Sequence, residues 1–265
     1  MPAMNDPQTM RKQYANADSL NVRIALHQKY SVNQQPFGDW ISGHYHIQPG
    51  MKVLELGCGT GGMWSEPERW LPETASLLLT DFSAGMLEEA RRNVPPRTNI
   101  TFRQVDIQQI PYADQSFDLV IANMMLYHVP DLDKALSEAA RVLKPDGRFI
   151  CATSGEGRLT AWLQNVLGEG DAPALPFSLQ NGGAALKRHF ASVKRFSRED
   201  ALEVTCVDDL LSYVLSMASF AFVRYHSEAE IKSLLASQMK DGIIHIPKEY
   251  GLFQCHEPIV TKIFD

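Results

Sequence analysis

Between Met51 and Gly62 a short apolar run, Val53, Leu54 and Leu56 around Glu55, stops at the glycines Gly57, Gly59, Gly61 and Gly62. Glycine accepts positive φ and leaves its backbone N–H groups bare, so such a loop can hold an oxygen-rich small molecule against its own amides. Asp81 stands at the end of the next apolar stretch, SLLLT, nineteen residues beyond Gly62. A carboxylate at that place can accept both hydroxyl protons of a ribose. Asn123, Tyr127 and His128 follow the apolar run FDLVIA. His128 titrates near neutral pH and is the candidate base; capping a loop or packing beside Pro130 would use the same residue equally well.

These residues are useful only if strands and helices bring them together. The apolar run through Leu56 reads as a buried strand entering a tight turn, with a helix expected over Met63–Trp70 although Pro67 interrupts it. Ser76–Thr80, Asn99–Val105, Phe117–Ala122 and Arg148–Ser154 read as further strands, separated by helices from Ser83 and over Leu132–Leu143. Alternation of strand and helix predicts a parallel sheet with helices on both faces and ligands outside the carboxyl ends of its strands. Residues 1–50 precede that core as two helical stretches, one capped by Asp18 or Ser19 with Leu20, Ile24 and His27 on one face, the other near Phe37–Tyr45. Past residue 154 the pattern loosens: helices over 157–167, 207–220 and 228–239, a strand at Ser192–Phe196, and two short strands, IIHIP and GLFQCH, separated by KEY. The expected organisation is an N-terminal helical lid over 1–50 and a catalytic domain over 51–265, with an insertion at about 155–240.

Composition narrows the class. A chain of 265 residues that is 45% hydrophobic can bury a large core, and a formal charge of −6 argues against a polyanionic partner such as nucleic acid. The basic stretch Lys187–Arg198 reads as a solvated helix end and strand face. Cys58, Cys151, Cys206 and Cys255 are scattered without metal spacing, and no apolar signal core or membrane-length run is present. The expectation is a soluble cytoplasmic protein with reduced thiols, no metal and no membrane partner; nothing in the sequence fixes its oligomeric state.

Gly57, Gly59 and Gly62 alone satisfy the dinucleotide pattern, which leaves a nicotinamide-dependent oxidoreductase open. The longer phrase VLELGCGTG, followed in order by TDFS, VDI, FDLVIANMMLYHV and RVLKPDGRF, resembles the Rossmann-like (class I) S-adenosylmethionine (SAM) dependent methyltransferases over Met51–Thr153. That resemblance implies an α/β doubly wound mixed sheet with an antiparallel last strand, and SAM as cofactor. It implies that Gly57, Cys58, Gly59 and Gly61 line the methionine end, with Glu55 orienting the loop. Asp81 takes the ribose, Phe82 and Met86 flank the adenine region, Asp106 with Ile107 takes the base, and Asn123 borders the sulfonium. Each has a plain alternative: Glu55 as a buried brace, Met86 as helix core, Asn123 as a strand cap.

The methyl acceptor is expected to be a small molecule that the resemblance does not identify. Methyl transfer is an in-line displacement, for which positioning alone can supply roughly 7–11 kcal/mol. If the front segment is a lid, Tyr14 faces the cofactor and His27, Tyr30 and Trp40 face the acceptor, as electron-rich surfaces beside a cation; aromatic residues at helical spacing serve equally as core. A non-catalytic SAM-binding module remains a third reading.

Overall fold

The computed structural model describes residues 18–170, 173–217 and 222–259. Parallel strands β1 (Lys52–Leu56), β2 (Ser76–Asp81), β3 (Ile100–Gln104), β4 (Phe117–Ile121) and β5 (Leu143–Ser154) join β6 (Phe190–Val204) and β7 (Ile244–Pro258) in one sheet, in the order β3-β2-β1-β4-β5-β7-β6. β7 runs antiparallel to both β5 and β6. Alternation places Leu54, Leu56, Leu78, Val120 and Phe149 in the core on one face, and Val53, Leu77, Leu79, Leu119 and Ile150 in the core on the other. Both faces are dry, as a parallel sheet requires.

Helices α1 (Asp18–Tyr30) and α2 (Phe37–Ser42) precede the sheet. α3 (Ala84–Asn93) is started by Ser83, whose side chain accepts the Met86 N–H, and α4 (Leu132–Val142) by Asp131, which accepts the Lys134 N–H. The LKPDG turn survives as a break inside β5: Phe117 pairs with Leu143 but Leu119 with Arg148, so the residues between leave the ladder.

Three expectations need correction. Met63–Trp70 is not an α-helix but two single 3₁₀ turns, Gly62–Trp64 and Pro67–Arg69. Pro67 has no N–H for the helical ladder and its ring blocks the carbonyl four residues back. On α1 the buried face is Arg23, Leu26 and Tyr30, whereas Ile24 is 38% exposed. Leu26 and Tyr30, one turn apart, join the apolar cluster of the late helices, and that packing turns Ile24 outward while His27 stays on the inner side against Tyr213 and Tyr250. Finally, IIHIP and GLFQCH belong to one strand of 15 residues that runs straight through KEY. Lys248 sits at an inward position of the alternation, buried because Asp200 accepts its ammonium at 2.7 Å.

That long strand decides where the late helices lie. β5 pairs with β7 only from Cys255 to Tyr250, while β6 continues alongside β7 to Ile244. The ribbon formed by 199–204 and 244–249 therefore overhangs Ser154 at the carboxyl end of β5. Leu202, Val204, Ile244 and Ile246 on it carry α1, α5 (Leu159–Val166), α7 (Val207–Leu215) and α9 (Glu228–Ala236) as a second apolar cluster, with the short helices α6 (Gly182–Leu186) and α8 (Phe222–Tyr225) between them in sequence. α9 opens with a full capping box, Ser227 and Glu230. The front segment is tied to the same ribbon: the Val32 N–H reaches the Ala201 carbonyl at 2.9 Å, and the Ser31 hydroxyl reaches Asp200 at 2.6 Å.

Candidate active site

At the end of β1 the chain turns through Gly57 and Gly61, with φ of +72° and +71°. A Cβ on Gly57 would stand 2.9 Å from Met125 Cγ, and one on Gly61 would stand 2.8 Å from Val94 Cγ2, so both sign of φ and space require glycine. The Cys58 N–H is held by the Thr80 carbonyl at 2.8 Å, and the Gly59 N–H donates to Asp81 Oδ2 at 2.9 Å. The other oxygen, Oδ1, accepts the Ser83 N–H at 2.8 Å. Burial pushes the Asp81 carboxyl upward and these N–H groups oppose it. The Phe82 N–H is a third backbone donor to the same carboxylate; an ionised carboxylate offers about four lone-pair positions, so room is left for a further donor.

β3 delivers its own acid to the same edge. The Val105 N–H bonds the Asp81 carbonyl at 3.1 Å, and the next residue, Asp106, accepts the Gln108 N–H at 2.8 Å. Ile107 is buried beside it, and Phe82 is 43% exposed at the carboxyl end of β2, its carbonyl held by Gln104 at 2.8 Å. Met86 turns inward instead. At 2% exposure it has the surroundings of helix core and offers no ring-sized surface at this edge.

Below the loop Glu55 accepts the Trp64 indole N–H, and its main-chain carbonyl takes the Thr80 hydroxyl at 2.7 Å. Burial pushes its carboxyl up to about 7, against the Trp64 hydrogen bond. Asn123, at the end of β4, donates to the Tyr45 hydroxyl at 2.6 Å, while its Oδ1 is buried and has no partner. An orphaned acceptor beside a buried carboxylate fits the cationic end of an amino acid, while the Cβ directions of Gly57 and Gly61 are filled by Met125, Val94 and Ala90, which hold the bend closely packed. Cys58 keeps its thiol well up by burial and forms no thiolate there.

Next to this edge, between the ends of β4 and β5 and the overhanging helices, is a cavity of about 100 Å³. Its wall includes Tyr127 and His128 after β4, Arg158 before α5, Arg23 from α1, Tyr213 from α7 and Tyr250 from β7. His128 thus stands where the sequence suggests, its ring 4.5 Å from that of Tyr127. His27 is one layer back, Nε2 3.5 Å from the Tyr250 hydroxyl, and burial with the nearby Lys248 charge pushes it down to about 3, so it is neutral. Tyr30 points into the second core and bonds Asp209; Trp40 stacks on Phe37 at 6.1 Å. Neither belongs to the cavity wall, because α1 and α2 present those rings to their own packing partners. Tyr14 lies outside the described residues. Arg23, Arg158, Tyr213 and Tyr250 were not legible in the sequence, since each comes from a different element and only the ribbon brings them together. A larger recess of about 530 Å³ lies at the opposite end of the sheet, where Lys144 and Asp118 already pair at 2.7 Å.

Comparison with known proteins agrees with this geometry. Residues 54–151 match the family described as a methyltransferase domain. A ubiquinone/menaquinone biosynthesis C-methyltransferase of Haemophilus ducreyi is 39% identical over 107 residues, 39% of this chain and 41% of that protein. A demethylmenaquinone methyltransferase of Staphylococcus aureus is 33% identical over 157 residues, 59% of this chain and 62% of that protein. The chain thus spans about half the length of such relatives. Among solved structures, a Haemonchus contortus phosphoethanolamine N-methyltransferase bound to S-adenosylhomocysteine (SAH) superposes with a TM-score of 0.58 at 17% identity, covering 98% of this chain and 61% of that one. That likeness concerns the fold. Residues 54–151 thus match a methyltransferase domain, and the glycine bend, the two strand-end acids and the strand order are consistent with that match.

Proposed function

We propose that the whole chain is an enzyme that transfers the methyl group of SAM to an O, N or C atom of a small molecule. The observation that carries this reading is the hydrogen bond from Gly59 to Asp81. It locks the bare bend of β1 to the acid of β2, whose carboxylate keeps acceptor capacity beyond its backbone donors. In this reading Asp81 receives the ribose hydroxyls, Asp106 and Ile107 the adenine, with Phe82 as its exposed flank. Gly57, Cys58, Gly59 and Gly61 line the methionine end, with Glu55 and Asn123 oriented toward its ammonium and sulfonium.

SAM supplies an electrophilic methyl carbon. An acceptor held opposite the sulfur would receive that methyl group and, where it carries a proton, would need a base to take it. His128, the imidazole of the cavity wall, is the residue placed to take it. The chain's own work is alignment and exclusion of water: Met124, Tyr127 and Tyr250 close the cavity, and α1 and the helices on the ribbon cover it. We read residues 1–50 as that cover, anchored through Ser31 and Val32, and the protein as acting in the cytoplasm. Among the described residues no helix is long and apolar enough to cross a membrane.

The relatives named for quinone methylation make a quinol-like acceptor one option, but Arg23, Arg158, Tyr213 and Tyr250 all fall outside the matched residues 54–151. The test is release of SAH from SAM across a panel of phenols, amines, activated carbons and carboxylic acids. Binding of SAH with turnover of at least one class supports the reading. Binding of NADH without SAH would replace it with the oxidoreductase, and SAH binding with no turnover of any class would favour a non-catalytic module.

A further inference from the structure

The wall of the small cavity carries two guanidinium groups and no carboxylate among the described residues. Both are taken out of water: Arg23 is 9% and Arg158 6% exposed. Arg158 gives Nη2 to the Pro173 carbonyl at 2.8 Å and Nη1 to Glu156 at 3.0 Å. Glu156 is 42% exposed, so water screens most of what that pair contributes. The third donor, Nε, is buried without a partner. Arg23 rests Nη1 on the Met217 sulfur at 3.5 Å, a weak acceptor. Behind Tyr250, Asp200 is already saturated by Lys248, Arg198, Ser31 and the Asn33 N–H, and burial notwithstanding it is held well below the usual carboxylate range. It has nothing left to give the cavity.

A buried guanidinium with an unsatisfied Nε–H is costly unless something accepts from it. The fork of Arg donors matches an oxyanion bidentately, and the hydroxyls of Ser154, Thr160 and Tyr250 on the same wall add neutral donors. Resting on the methyltransferase reading above, we infer that the methyl acceptor carries an oxyanion, a carboxylate or a phosphate monoester, seated on Arg158 and Arg23 while its reacting atom lies toward Met124 and His128. The acceptor is compact. The cavity is about 100 Å³, below the roughly 150 Å³ of an apolar cavity known to hold benzene. A ligand without an anionic acceptor would leave the buried Arg158 Nε–H without a charged partner.

The experiment uses the full chain saturated with SAH, whose own affinity is measured first by calorimetry. Ligand-observed NMR titrations then compare propionate with propionamide, and methyl phosphate with trimethyl phosphate. The expected result is at least tenfold tighter binding of the charged member in one pair, which names the anion. In Arg158→Gln and in Arg23→Gln that preference falls at least tenfold while SAH affinity is unchanged. Equal binding of charged and neutral members, binding of neither charged probe, or an undiminished preference in Arg158→Gln overturns the inference and leaves the methyltransferase reading standing. Failure of the unaltered protein to bind SAH overturns both. Should Arg158→Gln not fold, Arg23→Gln and the paired probes decide.

Discussion

Replacing Asp81 by Asn keeps the volume of the side chain and removes its charge. In the native site each carboxylate oxygen already accepts one backbone N–H, from Gly59 at 2.9 Å and from Ser83 at 2.8 Å. The amide keeps one oxygen and turns an NH₂ toward one of those donors, so one N–H loses its acceptor and one ribose hydroxyl loses its place. A hydrogen bond to a charged group contributes about 1.5–3 kcal/mol. If the bend cradles the ligand as proposed, most of this loss falls on binding, and we expect SAH affinity to drop by about 30- to 150-fold, some 2–3 kcal/mol. Calorimetric titration with SAH at fixed salt reads this directly, with the melting temperature as a check on folding. A change below threefold in a folded variant would mean that neither oxygen of Asp81 touches the ligand, and the assignment of the ribose to β2 would fail.

Other perturbations test separate parts. His128→Ala should lower turnover by about 10²- to 10⁴-fold if the histidine moves a proton, with SAH affinity unchanged in the same titration; equal turnover makes it a bystander. Gly61→Ala meets Val94 at 2.8 Å in a left-handed backbone, and should destabilise by about 1–3 kcal/mol in urea melts. Asp200→Ala leaves Lys248 and Arg198 buried together, and should cost about 3–5 kcal/mol, read as a fall in melting temperature. Glu55 has its folded pKa raised to about 7, above the unfolded value. Its stabilising contribution is full below about pH 4.5 and is lost as pH rises through 7. Relative to Glu55→Gln, the native protein should therefore lose on the order of 3 kcal/mol between pH 4.5 and 8, and a flat difference across that range would show that Glu55 is not buried uncharged.

The sheet and the cofactor edge were readable because their signals are local. An apolar strand that stops at glycine, and an acid closing each of the next two apolar runs, need no knowledge of distant packing to be placed at strand ends. Met86 shows the limit: its place one turn into α3 is right for either flank or core, and only the packed structure decides that it turns inward. The acceptor side was illegible for a different reason. Lys248, Glu249 and Tyr250 look like a polar break, and only pairing with Arg198–Asp200 keeps β7 continuous. Since that continuity creates the overhanging ribbon, the four residues it gathers around His128 carry no spacing signal at all. Tyr30 and Trp40 read in the sequence as aromatic faces near the front of the chain, and their helices use them for packing instead.

The central claim is that one adenosyl ligand spans from the bend at Gly57–Gly61 to the acids that close β2 and β3. A crystal structure of the protein with SAH tests it most directly. The account predicts both ribose hydroxyls on Asp81, the adenine against Ile107 with its amino group at Asp106, and the sulfur facing the cavity that holds His128. SAH seated elsewhere, or with its ribose away from Asp81, would contradict it.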